Sequence, residues 1–305
     1  GQTCYICTQA LHWKTKEGLV RMCSCRGTAG FAHVSCLAEQ AKILVAEAEE
    51  NNLGWKVRNE RFGRWGMCSL CEQSYHGVVA CALGWACWKT YLGRPEMDQI
   101  RGMAMELLGN GLSEAGRHAD ALTVKEAELS MLRRVGSREE NVLNVQTNLA
   151  STHQSLGRLE EANRMLRDVY SGRLKLFGEE HVNTVRAAYN YAASLINLER
   201  YAEAKSLMRR TVPVARRIFG EDQYLTLMMR QACARALFKD PGATLDDLLK
   251  AVNTLVEILP TARRVFGGAH PLTSTVEGDL RSYRDALRAS EKKFNLKLLD
   301  EKEDA

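Results

Sequence analysis

The sequence holds no apolar run of the roughly 18 residues that a membrane-spanning helix requires. The nearest stretch, Val78 to Trp88, is too short and is followed by Lys89. No glycine-rich phosphate loop and no serine, histidine and acid set appears, so nothing supports a self-contained active site. A marked excess of one charge is missing too: 42 Lys+Arg against 37 Asp+Glu leave a net charge of +5, small for 305 residues. Residues 1–95 hold 11 Lys+Arg against 7 Asp+Glu. Arg58, Arg61 and Arg64, interleaved with Trp55, Phe62 and Trp65, supply much of that local excess. Three arginines do not stand out from a solvated loop, so nucleic acid is not an expected partner. What remains is the composition of a globular protein of about two domains. The chain starts at Gly1 rather than methionine, which leaves a targeting signal open; a soluble, cytoplasmic protein is expected.

The first quarter carries eight metal-ligating residues in a fixed order: Cys4, Cys7, Cys23, Cys25, His33, Cys36, Cys68 and Cys71. Zn²⁺ takes four thiolate or imidazole ligands at tetrahedral corners, and two ligands separated by two residues let one turn of backbone fill two corners at about 2.3 Å. The pairs are Cys4 with Cys7, Cys23 with Cys25, His33 with Cys36, and Cys68 with Cys71, so eight ligands make two sites and imply two structural Zn²⁺. A disulfide framework fits poorly, because these cysteines are crowded into pairs mostly too close for ordinary bridges. So short a stretch cannot build a large core, and metal is expected to supply much of its folding free energy. Cys81, Cys87 and Cys233 lack a partner at ligand spacing and read as buried thiols.

From about residue 96 the chain repeats itself with a period of 42 residues. Gly178 and Gly220 each follow Phe and precede Glu, and Asn148, Ala150, Arg158, Glu161, Ala162, Arg167 and Thr184 recur as Asn190, Ala192, Arg200, Glu203, Ala204, Arg209 and Thr226. Further on the register jumps by five, so that Pro213, Phe219 and Gly220 recur as Pro260, Phe266 and Gly267. The turn Lys239-Asp240-Pro241-Gly242 marks where residues entered. Within a unit the apolar spacing is helical, as in Ala192, Leu195, Ile196, then Tyr201, Ala204, Leu207, Met208. Each unit reads as a helical hairpin that turns at Gly157-Arg158 or Glu199-Arg200, with a left-handed glycine cap after Phe. One hairpin cannot bury both faces, so the units stack as an all-α solenoid. Pro213 and Pro260 are expected to bend their helices. His181 and His270, at repeat junctions, read as capping residues. Val78 to Leu92 reads as an orphan helix covering the first repeat, with Val79, Leu83, Trp85, Ala86, Trp88 and Tyr91 in the core. Residues 1–76 thus form a zinc module, 77–95 a bridging helix, 96–290 the repeats and 291–305 a charged tail.

The run Met22-Cys23-Ser24-Cys25-Arg26-Gly27-Thr28-Ala29-Gly30-Phe31-Ala32-His33-Val34-Ser35-Cys36-Leu37, preceded by Cys4-Tyr5-Ile6-Cys7 and followed by Cys68-Ser69-Leu70-Cys71, resembles the RING-CH (RING-variant) zinc finger. The resemblance implies a cross-brace in which Cys4, Cys7, His33 and Cys36 hold one zinc while Cys23, Cys25, Cys68 and Cys71 hold the other. It also implies ubiquitin ligase activity, in which the finger docks a charged ubiquitin-conjugating enzyme and Ile6 supplies an apolar contact to it. Gln40 stands where many members carry tryptophan, and Glu72 where a basic residue helps hold ubiquitin. Residues 96–290 are similar to tetratricopeptide repeats of the kinesin-light-chain type, through Phe177-Gly178-Glu179-Glu180-His181 and Phe266-Gly267-Gly268-Ala269-His270. Those repeats imply a protein or peptide ligand. The alternative to a ligase is a scaffold whose zinc module only binds another protein or stabilises the solenoid's end.

Overall fold

The structure is a computed structural model that describes residues 1–303, with side chains through residue 292. Among the described residues it forms twelve α-helices and no strand beyond two isolated bridge pairs, Val20 with Ala32 and Met67 with Ser74. No helix among them is long and apolar enough to cross a membrane. Packing divides the chain into two units, Gly1–Arg158 and Leu159–Ala305.

In the first unit, residues 1–33 are loops, followed by α1 (Val34–Glu50), α2 (Trp55–Phe62), a 3₁₀ turn (Gly63–Trp65), α3 (Gly77–Tyr91), α4 (Gln99–Glu114), α5 (His118–Arg134) and α6 (Glu139–Ser155). Helix α3 shows no apolar stripe because it is covered on several sides, as a helix apolar all round must be. Val79 and Leu83 pack with Leu37 of α1 and with Cys4, Cys68 and Tyr75 of the loops. Cys87 and Tyr91 pack with Ala41 and Val45 of α1, Phe62 of α2 and Trp65, and Cys81 packs with Leu108, Leu112 and Ala121 of the α4–α5 hairpin. Trp85 departs from the expected core set. It is exposed, whereas Trp88 is half-buried.

Glycines bring α3 and α4 together. A Cβ on Gly111 would lie 2.6 Å from the Ala80 carbonyl oxygen, and one on Gly84 would lie 3.0 Å from that of Leu107. Asp98 starts α4 by accepting hydrogen bonds from the Ile100 and Arg101 backbone N–H groups at 2.8 and 3.1 Å, which satisfies donors that a helix start leaves unpaired.

The second unit is α7 (Leu159–Phe177), α8 (Val182–Asn197), α9 (Tyr201–Phe219), α10 (Tyr224–Lys239), α11 (Leu245–Phe266) and α12 (Pro271–Glu303). Helices α8, α9 and α10 share one core around Leu195, Met208 and Met229, and α10, α11 and α12 share another around Leu227, Leu255 and Val276. The repeat reappears as a hydrogen-bond device: Thr184 donates to the Arg173 carbonyl, and Thr226, 42 residues on, to that of Ala215. His181 and His270 cap their helices, each ring Nδ1 accepting a backbone N–H at 3.2 Å, and each ring lies against the preceding Phe.

The glycines that end two of these helices differ from the sequence reading. Gly220 and Gly267 have positive φ of 88° and 84°, but with ψ of 169° and 163°. That is the extended region open essentially only to glycine, which has no Cβ, rather than a left-handed cap. Helices α9 and α11 carry Pro213 and Pro260 inside their continuous spans, as the repeat register placed them. The last helix continues past Ala289 to Glu303, so the charged tail expected from Glu291 falls largely on residues whose side chains, and at 304–305 whose backbone, lie outside the described residues.

Candidate metal centre

Two groups of four ligand atoms assemble in the first unit: Cys4, Cys7, His33 and Cys36, and Cys23, Cys25, Cys68 and Cys71, each with all four atoms within 4.8 Å of one another. The ligand pairs interleave, the first and third pair making one group and the second and fourth the other. All seven thiols are free. In the first group the Cys7 and Cys36 sulfurs lie 3.4 and 3.5 Å from His33 Nδ1. In the second, Cys25 and Cys68 Sγ are 3.8 Å apart. A tetrahedron with Zn–S bonds of about 2.3 Å has S–S edges of about 3.8 Å, so the donor sets and their spacing fit that ion.

Both outer cysteine pairs use the same local fold. The Cys4 N–H donates to the Gln9 carbonyl and the Thr8 N–H to that of Cys4; the Cys68 N–H donates to the Gln73 carbonyl and the Glu72 N–H to that of Cys68. In each loop an N–H two residues on, from Ile6 or Leu70, points at the first sulfur at 3.4 or 3.5 Å. The residue after each pair has positive φ, 63° at Thr8 and 54° at Glu72. His33 is fully buried, and its Nε2 lies 3.4 Å from the Ala10 carbonyl oxygen, an outer contact that orients the ring and fixes which nitrogen faces the sulfurs.

The thiols resist ionising together. Burial, followed by the neighbouring thiols, pushes Cys25 and Cys36 up to about 12. Burial also acts to raise Cys4 and Cys71, but backbone N–H donors outweigh it and leave both at about 7. Such a set becomes a set of thiolates only around a cation that repays their mutual repulsion. Cys81 and Cys87 are buried in helix packing and Cys233 is half-buried, so none joins either group.

Gly30 is a site residue with no ligand atom. It sits at φ 78°, and a Cβ there would lie 2.5 Å from Cys25 Cβ and 2.8 Å from its sulfur. Ile6, placed between Cys4 and Cys7, lines a hollow of about 370 Å³ with Trp13, Gln40, Ile43 and Leu44. Trp13 is 70% exposed and Ile43 48%. Sequence reasoning did not single out Trp13 or Ile43. Ile43 and Leu44 follow Gln40 at helical spacing, the available signal, whereas Trp13 reaches the hollow from a loop.

The RING-variant domain matches residues 4–52, and two tetratricopeptide repeat descriptions match residues 101–175 and 184–223. The chain is therefore a RING-variant zinc-finger domain followed by tetratricopeptide repeats. The matched finger segment ends before Cys68 and Cys71, which the structure brings back to complete the second group after α1 and α2 have intervened. Among solved structures, the kinesin-light-chain nearly identical TPR-like repeats of Podosopora anserina are 16% identical over 77% of this chain and 98% of that one, with a TM-score of 0.52. The apo form of RapI is 16% identical over 87% of this chain and 70% of that one, with a TM-score of 0.55. At that identity the likeness is one of fold. No curated protein sequence matches the chain.

Proposed function

We propose that each four-ligand group holds one structural Zn²⁺ and that the finger recruits a ubiquitin-conjugating enzyme, with the repeats recruiting a protein substrate. In the ligase reaction the substrate lysine amine attacks the ubiquitin thioester on the conjugating enzyme. The C–S bond breaks, an isopeptide bond forms and the enzyme's thiol leaves. The finger takes no covalent part, since four protein ligands leave no open position on either zinc. Its role is to present a surface and hold the two reactants together.

The observation that carries this reading is the apolar hollow built on the first ligand group. Ile6 comes from the loop that supplies Cys4 and Cys7, and Ile43 and Leu44 from α1, whose first turn contains Cys36. The same metal would therefore fix both walls. An exposed tryptophan beside a small apolar pocket is the composition of an interaction hot spot.

An autoubiquitination assay across a panel of conjugating enzymes tests the reading. Zinc-loaded protein is expected to build chains with at least one enzyme, and Ile6→Ala to reduce them about tenfold or more, as loss of an interface anchor does. If no enzyme gives chains and Ile6→Ala leaves conjugating-enzyme binding unchanged, the scaffold reading replaces it.

A further inference from the structure

A second and larger groove, of about 880 Å³, runs along the first unit between the finger and α4. It is distinct from the hollow at Ile6 and shares no residue with it. One wall carries Phe62 and Met67, and the other Met103 and Leu107 of α4. The base is close-packed: a Cβ on Gly66 would lie 3.2 Å from Leu107 Cδ1, and Gly111 already abuts the Ala80 carbonyl of α3. The groove is thus a seam with fixed walls, in the size range of pockets that hold ligands, about 300–1,000 Å³.

Its rim is acidic. Glu60 and Glu72 stand on the finger side and Glu106 and Glu114 on α4, all four exposed. Among the described residues none of them is in a salt bridge, whereas the nearby carboxylates of α1 are paired, Glu47 with Arg61 and Glu49 with Arg94. Arg64, His76 and Tyr75 line the groove with these four, and Glu106 also interacts with the buried Lys125 and accepts a 3.4 Å hydrogen bond from Asn148. Glu106 and Glu114 are eight residues apart, which on a helix is about 12 Å along the axis. A single small cation cannot meet both. An extended segment of about four residues spans that distance.

We propose that this groove docks a basic segment of a partner protein, in which an apolar side chain enters between Met67 and Leu107 and flanking lysines or arginines meet the carboxylates on both rims. Polyanions are excluded by the same charge. The partner's signature is a hydrophobic anchor within a cationic stretch, and the interaction weakens with salt because the charges are exposed.

Fluorescence anisotropy on the zinc-loaded full chain tests this. The probe is a labelled peptide with one leucine flanked on each side by lysine and arginine, compared with a version carrying serine for leucine and one carrying glutamate for the basic residues. The leucine peptide is expected to bind about tenfold or more tightly than the serine peptide, from burial of one Leu side chain, and the acidic peptide not to bind. Glu60→Lys with Glu114→Lys is expected to weaken the leucine peptide about tenfold, since two exposed attractions are lost and become repulsions. Glu50→Lys with Glu126→Lys makes the same change in net charge outside the groove and is expected to shift binding less than about twofold. Thermal melts of both double variants establish that they fold. Three outcomes overturn the proposal: no binding of the basic peptide, equal binding of the leucine and serine peptides, or equal loss in the two double variants. Concentration-dependent self-association that the groove reversals abolish also overturns it, by assigning the groove to a second copy of the chain.

Discussion

Gly30 shows how much of the metal centre depends on a residue that binds nothing. Its missing Cβ leaves the space that the Cys25 side chain occupies. Its positive φ adds strain for any other residue. Gly30→Ala is expected to displace Cys25 and reduce bound zinc from about two per chain to about one, read by metal analysis after exhaustive dialysis. The eight ligands were legible in the sequence because their spacing is itself the coordination chemistry. Gly30 was visible only as part of a family pattern, since its physical role depends on which loop closes over Cys25. A similar comparison exists in the repeats, where Gly157 (φ 74°) and Glu199 (φ 59°) occupy the same position 42 residues apart. Gly157→Ala is expected to lower stability by about 1 kcal/mol, because a Cβ is disfavoured in the left-handed region. Glu199→Gly is expected to leave stability unchanged or raise it, both measured by denaturant unfolding.

At the scale of elements, the ion pair between Glu49 at the end of α1 and Arg94 ahead of α4 ties the finger's first helix to the repeats. Both guanidinium NH groups donate to the carboxylate at 2.7 Å, and the guanidinium lies 4.8 Å from the Tyr91 ring centroid. Hydrogen bonding to Arg94 holds the Glu49 carboxyl below its ordinary range. A depressed carboxyl stabilises the fold above the unfolded-state value of about 4.3, and that contribution is lost as pH falls through the lower folded-state value. Glu49→Gln is expected to cost about 1–2 kcal/mol at neutral pH, with the difference from wild type closing as the pH is taken below that window in urea titrations. The helical hairpins were readable from apolar spacing and the repeat register. The glycine geometry at Gly220 and Gly267 was not, because sequence signals a positive φ without fixing ψ. Trp85 was misplaced for a related reason: an all-apolar helix does not reveal which side its neighbours leave open.

For the whole molecule, the core at the start of the chain runs through the candidate ligands themselves, since Cys4, Cys36 and Cys68 are buried with Leu37 of α1, Tyr75 and the α3 residues Val79 and Leu83. Removal of zinc by a chelator is expected to unfold residues 1–76 while most helical signal persists in circular dichroism, because the cores of the second unit contain no ligand. Loss of the helical signal in parallel with zinc would show instead that metal supports the repeats. The organisation, a zinc module followed by helical repeats, was legible from a ligand cluster at one end and a 42-residue period at the other. The exposed Trp13 and the acidic groove were not, since each depends on segments distant in sequence meeting at a surface. The proposed function rests on the edge around Ile6, beside the first four-ligand group, acting on a charged conjugating enzyme. Single-turnover discharge of ubiquitin from that enzyme to free lysine tests it most directly: zinc-loaded protein should accelerate discharge and Ile6→Ala should return it toward the unassisted rate. Equal discharge with wild type, Ile6→Ala and no added protein, across the conjugating enzymes, would contradict it.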